Sequence, residues 1–372
     1  MKAFRKIHTL NILNTYDLQR GPLDRFLSDY FRQHRSIGSK DRGEIAETIY
    51  ELYRSFGVVN ALSRYPLTWE NRLDAFLDET IKEKIPSLPP EVRANVPKDL
   101  FDKLNAFYGE RKALEICQIL NTRPPITIRV NVAKTTREAL KEALLEFGPY
   151  ESNTCDTALH LPARHNLMSH PLFQEGHFEM QDEASQMAAK LVNPGANSQI
   201  LDYCAGSGGK SLAFAPLMRG RGQLYLHDIR EEALMQAKKR LKRAGVQNAQ
   251  IVCHSSPTLN KLRGKMDIVF VDAPCSGTGV YRRNPEQKWR FSLEMLSELI
   301  EKQRQIVEEA CTYLKSKGTL IYATCSILKE ENEEQITFFE KNFGLKVKSP
   351  PLSFTPTKGG PDGFFAICLC LD

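Results

Sequence analysis

The 372-residue chain contains no apolar run approaching the 18 or so residues that a membrane span needs. Its opening stretch, MKAFRKIHTLNILNTY, lacks the continuous apolar core of a secretory leader. A cytoplasmic location is expected, and no membrane partner. Metal spacing is also missing. Of nine cysteines, only Cys368 and Cys370 form a close pair, a C-x-C on what reads as a terminal strand, and no second pair matches it. No metal is therefore expected, and in a reducing compartment the nine should remain thiols, most of them buried as small hydrophobes. There is no internal repeat and no low-complexity segment. Charge is not strongly of one sign: 51 basic against 45 acidic residues give +6, which is compatible with a polyanionic partner without demanding one. With 41% hydrophobic and 26% charged residues, the chain has the composition of a globular protein with room for two or three domains.

One stretch organises the rest. Residues 199–214 read QILDYCAGSGGKSLAF: an apolar run ending in Asp202, glycines at 206, 208 and 209, then Lys210 and a helical pattern. Strand, tight glycine turn and helix is how an open parallel sheet builds a ligand site at the carboxyl end of a strand. Three readings compete. The glycines could serve packing alone. The loop could cradle phosphates, although G-x-x-x-x-G-K-[ST] is missed by one residue because Cys204 stands where the first glycine belongs. Or it could hold S-adenosylmethionine in a Rossmann-like methyltransferase. The loop alone does not choose.

Along the chain, residues 1–65 read as helices. Ile45, Ile49, Leu52, Tyr53 and Phe56 share one helical face, with Ser39 as a candidate N-cap and Gly57 as a stop. Arg32, Arg35, Lys40 and Arg42 give the polar side a basic character, a solvated face or an RNA-contacting one. Four prolines in 85–98 mark a connector. ITIRVNV (126–132) alternates like a half-buried strand, and a helix capped by Thr135 or Thr136 and ended by Gly148 completes a small α/β unit. Asp182 can cap the helix that leads into the large domain. There the alternation is regular: strands over 199–202, 223–227, 249–253, 266–271 and 318–323, with helices over 231–244, 293–314 and 331–342. That pattern predicts a doubly wound, mainly parallel sheet with helices on both faces.

The chemistry-bearing residues lie at strand ends. Asp228 closes the second strand about 20 residues after the glycine loop, where dinucleotide sites place the acid that takes ribose hydroxyls. Asp272-Ala273-Pro274-Cys275-Ser276-Gly277-Thr278-Gly279 follows the fourth strand and reads as an acid and a thiol followed by flexible residues. Cys325 ends the fifth. If those strands are neighbours, about 4.8 Å apart, both thiols reach one crevice. Two free thiols at a cofactor site point to covalent chemistry, which an ATPase would not need. Between them, residues 281–290 (YRRNPEQKWR) mix four basic residues with two aromatics, a composition that suits phosphates and stacked bases.

These stretches resemble the RNA (cytosine-5)-methyltransferase family, most closely its bacterial 16S ribosomal RNA members of RsmB type. LDYCAGSGGK resembles the family's cofactor loop, DAPCSGTGVYRRNPEQKW and GTLIYATCSILKEENEEQI its second and third motifs, and GGPDGFFAICL its terminal strand. PPITIRVN and QDEASQ resemble the segment before the methyltransferase domain, and SIGSKDRGEIAETIYELYR a NusB-like helical domain. The resemblance implies an α/β, Rossmann-like S-adenosylmethionine-dependent domain over 181–372, a helical RNA-binding domain over 1–85, and a connector with a small α/β domain over 86–180. Cys204, Ala205, Gly206, Ser207, Gly208, Gly209 and Lys210 would contact S-adenosylmethionine, with Asp228 on its ribose and Asp272 between the cofactor and the target base. Cys325 would be the nucleophile and Cys275 would assist product release, with Lys210 favouring the thiolate. The partner would be RNA, ribosomal before transfer RNA, and the protein a monomer. Two departures stand out. Gly206-Ser207 replaces the family's Ala-Pro, which should loosen the loop. No acid follows the third strand, where the family holds the adenine; Cys253-His254-Ser255-Ser256 stands there, leaving His254 or Ser255 as substitutes. A non-catalytic RNA-binding protein and an NTPase are the alternatives.

Overall fold

The computed structural model describes residues 1–18 and 21–371. The chain forms two compact units: Met1–Pro124 with Val280–Leu296, and Pro125–Gly279 with Ser297–Asp372.

In the first unit, helices Ala3–Thr15, Leu23–Gln33, Ser39–Arg54 and Trp69–Leu77 close around Ile12, Leu23, Ile45, Ile49, Leu52 and Leu73. The expected apolar face of the third helix is buried, but its ends differ. Gly38, not Ser39, occupies the N-cap, and the helix stops at Ser55. Gly57 lies inside the next helix, Phe56–Leu62. It is a close-approach glycine: a Cβ there would sit 2.9 Å from the Trp289 ring and 3.0 Å from Asn95 Oδ1. The proline-rich stretch lies within this unit as short turns (Ile81–Lys84, Ile85–Ser87, Pro90–Arg93). It is tied down at buried Asn95, whose side chain accepts from Gly57 N at 2.7 Å and donates to the Arg54 carbonyl.

The second unit carries two sheets. The smaller comprises β1 (Ile126–Val130), β2 (Tyr150–Glu151), β3 (Ala158–Leu161) and β4 (Phe178–Met180), all antiparallel in the order β2-β3-β1-β4. Thr136 caps the helix after β1 through Ala139 N, and Asp182 caps the helix after β4 through Ala184 N. The larger sheet comprises β5 (Gln199–Asp202), β6 (Gln223–Asp228), β7 (Ala249–Cys253), β8 (Met266–Asp272), β9 (Leu314–Thr324), β10 (Leu345–Val347), β11 (Leu352–Phe354) and β12 (Phe364–Leu371). Its order is β10-β12-β9-β8-β5-β6-β7, with β11 beside β12. The pairs β5–β6, β6–β7, β5–β8 and β8–β9 are parallel, and β12 runs antiparallel to β9.

The strands are apolar on both faces, as a sheet sandwiched by helices requires. Ile200, Leu226, Ile268 and Phe270 face one helical layer, and Leu201, Val269, Val271 and Tyr322 face the other. The strand expected from Gly318 begins at Leu314, because Lys317 takes a left-handed turn (φ 63°) and the register slips opposite Met266–Ile268. Polar KSKG carries no strand signal of its own. The chain leaves β5 towards β6 and β7 on one side, then returns to place β8 and β9 on the other. The carboxyl ends of β5 and β8 therefore flank the topological switch point, where such sheets bind ligands.

Candidate active site

Asp202 ends β5, and the loop to Lys210 turns back over the sheet. Gly206 and Gly208 have φ of 53° and 78°, which glycine adopts without strain. The two glycines serve different ends. A Cβ on Gly208 would lie 3.1 Å from Ala237 Cβ, so that glycine lets the loop pack on helix Glu231–Ala244. A Cβ on Gly206 would meet only Arg230 Nη2 at 3.5 Å and Asp228 Oδ2 at 4.0 Å, so it would fill space in front of that carboxylate. Asp228 accepts from Gly206 N at 2.8 Å and from Arg230 N, Nε and Nη2 at 2.8, 3.0 and 3.1 Å. Burial works to raise its pKa, and these bonds more than reverse it, holding it ionised below its ordinary value. The helix after the loop is one turn long, Ser211–Phe214, so its dipole adds little to the site.

Lys210 pairs with Asp272 at the end of β8, and its ammonium lies 5.0 Å from the Phe364 ring centre. Burial opposes the ammonium form, but the Asp272 carboxylate outweighs it and Lys210 stays above its ordinary pKa. This commitment to Asp272 weighs against a phosphate-loop lysine. Asp272 opposes Ala323 on β9, so the residues beyond the two strand ends converge. Cys275 Sγ and Cys325 Sγ are 3.3 Å apart. The hydrogen bond to Cys325 and burial push the Cys275 thiol well above its usual pKa. Cys275 is thus held protonated, and either sulfur can be the donor in the contact between them. The residues after Cys275 are not flexible. A Cβ on Gly279 would lie 2.3 Å from Gly363 O, and Gly279 donates to Cys325 O at 2.9 Å.

Several site residues were invisible to sequence reasoning. Arg129 and Thr127, the polar alternates of β1, are buried, so this strand is not half-exposed as its alternation predicts. Its polar face meets the cofactor loop instead of water. Arg129 Nη1 donates to Gly209 O at 2.8 Å and to Gln181 Oε1, and Gln181 Nε2 donates to Gly209 O at 3.1 Å. Burial lowers the Arg129 pKa to about 10, with Glu179 opposing. Arg240 donates to both the carbonyl and the hydroxyl of Ser207, each at 2.8 Å, and is itself held by Glu179. The loop expected to be loosened by the loss of proline is therefore pinned. Asp202 is wholly buried. It accepts from Ser211 Oγ at 2.6 Å, and its other oxygen has no partner.

After β7, His254 and Ser255 are exposed, His254 lies 5.8 Å from the His227 ring, and Ser256 caps the next helix turn through Thr258 N. Of the four basic residues in 281–290, Arg282 and Lys288 are 0% exposed and face protein, while Arg283 and Arg290 are half-buried. Lys288 Nζ donates to Arg54 O at 2.9 Å and to Asn121 Oδ1, and Trp289 Nε1 donates to Tyr53 O at 3.0 Å. These side chains fasten the segment into the helical core of the first unit. An open groove of about 550 Å³ beside β7, lined by Lys238 and Lys242 among others, holds none of the convergent thiols and carboxylates.

The glycine loop, the carboxylates of Asp228 and Asp272 and the two thiols all lie at or just beyond the carboxyl ends of the central strands, a set of groups that fits S-adenosylmethionine. The sequence profile of 16S rRNA methyltransferase RsmB/F matches residues 189–366, and that of the RsmF/B-like ferredoxin-like domain matches 96–167. Ribosomal RNA small subunit methyltransferase B of Klebsiella pneumoniae is 36% identical over 344 residues, covering 90% of this chain and 73% of that protein. The Pasteurella multocida protein of the same name is 35% identical over 293 residues, 72% of this chain and 64% of its own length. The chain thus spans less than two thirds of several curated relatives that it matches. The crystal structure of PH0851 shares the fold, with a TM-score of 0.78 at 23% identity over 98% of this chain and 97% of that one. With 36% identity across most of both chains, the protein belongs to the RsmB/F family of 16S ribosomal RNA methyltransferases.

Proposed function

We propose that the protein transfers a methyl group from S-adenosylmethionine to C5 of a cytosine in 16S ribosomal RNA through a covalent Cys325–C6 adduct. The observation that carries this reading is the thiol pair, 3.3 Å apart, at the ends of adjacent strands beside the Lys210–Asp272 pair. Cys204 to Lys210 would hold the cofactor, with Asp228 on its ribose and Asp272 beside the methionine end. When bound, S-adenosylmethionine supplies an electrophilic methyl group on a sulfonium.

Unmodified C5 is a weak nucleophile. Cys325, as thiolate, adds to C6; the S–C6 bond forms as the C5–C6 double bond opens, and C5 gains enamine character. Asp272 would hold a hydrogen at N3 while charge accumulates on the ring. After C5 takes the methyl group, water acting as base takes the C5 proton, the C5–H electron pair restores the C5–C6 double bond, and the S–C6 electron pair leaves with the Cys325 sulfur as thiolate. Cys275 donates its S–H towards the departing Cys325 sulfur, which stabilises the thiolate as it leaves. Cys325 takes the nucleophile's role because it stands at the Thr-Cys position of the family's third motif. To present C6, the cytosine must be unstacked. The helical domain (1–85) and the small α/β domain (86–180) would select the RNA, and 181–372 would carry the chemistry.

The test is incubation with tritiated S-adenosylmethionine and 16S ribosomal RNA lacking its own modification, followed by nucleoside analysis. Label in 5-methylcytidine that disappears in Cys325→Ala supports the reaction and its nucleophile. Cys275→Ala should accumulate a protein–RNA adduct on a denaturing gel. Label in another nucleoside overturns the two-thiol mechanism. RNA binding without label favours a protein that uses this fold only to bind.

A further inference from the structure

Cys275 sits in a loop that is gripped from both sides by one buried network. Glu331, in the turn Lys329–Glu331 after Cys325, is 0% exposed. Its Oε1 accepts from Ser276 N at 2.8 Å, and its Oε2 from Ser276 Oγ at 2.5 Å. The residue following Cys275 is therefore held through backbone and side chain together. On the preceding side, Gln303 Nε2 donates to Pro274 O at 3.0 Å and to Glu331 Oε1 at 2.9 Å. Gln303 is in turn oriented by Gln335, whose Nε2 donates to Gln303 Oε1 and to Ile300 O, each at 2.8 Å. Tyr322 OH anchors the Glu331 backbone by donating to its carbonyl at 2.8 Å.

A carboxylate buried without a cation is costly unless hydrogen bonds satisfy it. Among the described residues no basic side chain pairs with Glu331, and its three acceptor bonds go to the Cys275 loop and to the Gln303 clamp. Packing alone does not call for an acid there. Most of what the carboxylate touches fixes the residues on either side of one thiol.

We propose that Glu331, with Gln303, is a positioning residue that sets Cys275 against Cys325 and so governs resolution of the RNA adduct rather than its formation. The inference rests on the reading of Cys275 as the release thiol. Electrostatics agree with the geometry: the Glu331 charge adds to the burial that keeps Cys275 protonated. The amide of Glu331→Gln can keep the bracket, its oxygen accepting from Ser276 N and Gln303 while its nitrogen donates to Ser276 Oγ. Glu331→Ala cannot.

The experiment uses the full chain, a 16S ribosomal RNA transcript and S-adenosylmethionine, and reads turnover together with the adduct fraction on a denaturing gel. Glu331→Ala should slow turnover by on the order of 10²-fold, the scale expected when a reacting group is displaced by about 1 Å. It should also accumulate adduct, while Glu331→Gln restores both readouts towards wild type. If Glu331→Ala does not fold, Gln303→Met removes the bonds to Pro274 O and Glu331 Oε1, leaves both Ser276 bonds in place, and should still raise the adduct fraction. Slow turnover without adduct would overturn the proposal, as would a Gln variant behaving like the Ala variant. Cys275→Ala, run in parallel, separates the two levels. Adduct in Cys275→Ala but not in the Glu331 and Gln303 variants defeats this inference alone, and no adduct in Cys275→Ala defeats the release reading beneath it.

Discussion

Asp202 offers a thermodynamic test of the site that needs no RNA. Its carboxyl lies wholly buried at the end of β5. Burial raises its pKa from 3.8 to about 7, Ser211 pulls it down through one hydrogen bond, and the nearby Asp272 charge pushes it up again. In the unfolded chain the group ionises near 3.8, so between that pH and about 7 the folded protein keeps a proton that the unfolded chain has lost. Stability therefore falls as pH rises through this window, and the loss is complete above about pH 7. At about 1.4 kcal/mol per pKa unit, a rise of about three units corresponds to roughly 4 kcal/mol. Asp202→Asn cannot titrate and still accepts from Ser211. Its amide nitrogen would sit where the unpartnered oxygen sits now, a position as poorly satisfied for the acid's own proton. The variant should gain on wild type by about 4 kcal/mol between pH 4 and pH 8 in urea unfolding followed by circular dichroism at fixed salt. The carboxyl carbon resonance of Asp202 should titrate with a midpoint near 7. Parallel stability profiles, or a midpoint near 4, would refute the reasoning.

Arg240→Met removes the two bonds to Ser207 and should weaken S-adenosylmethionine binding about tenfold, roughly the worth of one net hydrogen bond, with kcat at saturation unchanged. Calorimetric titration showing wild-type affinity would mean that the loop holds itself. Gly279→Ala forces a Cβ to within 2.3 Å of Gly363 O and should destabilise the protein by about 2 kcal/mol or more, read as a lower melting temperature. RNA affinity should fall steeply with salt, roughly −0.7 in logarithmic slope per phosphate contacted on single strands. Lys288→Met should leave that slope intact while lowering the melting temperature, because its ammonium contacts Arg54 O and Asn121 rather than phosphate. A slope shallower by about 0.7 would place Lys288 on the RNA.

The sheet and the reacting groups were legible because their signals are local. Continuous apolar runs ending in an acid at Asp202, Asp228 and Asp272 mark the carboxyl ends of buried parallel strands, and a β8–β9 neighbour pair brings Cys275 to Cys325. The second tier was not legible. Thr127 and Arg129 alternate with apolar residues, and alternation reports only that one face of a strand is polar, not that water covers it. In β1 the polar face is covered by Gln181 and the Gly209 carbonyl, partners 52 and 80 residues away. Lys288 and Trp289 pose the same ambiguity at longer range. A cluster of basic and aromatic residues looks alike whether it grips phosphates or buried carbonyls, and the carbonyls of Arg54 and Tyr53 lie 234 and 236 positions from their donors.

Ser207 shows how such long-range partners change what a motif means. A proline in the cofactor loop restricts φ by its own ring, a covalent restraint visible in one residue. Replacing it with serine removes that restraint, and the local inference that the loop loosens is sound as far as it goes. Serine also adds a hydroxyl, and here that hydroxyl and the residue's own carbonyl both accept from Arg240. Arg240 projects from helix Glu231–Ala244, whose register is fixed by Leu234, Ala237 and Leu241 in the core, and its other terminal nitrogen is held by Glu179 on β4. Restraint has moved from a ring to a hydrogen bond anchored by two packed elements. A motif departure therefore predicts lost order only where nothing else in the fold restrains the substituted residue, and Arg240 does so here.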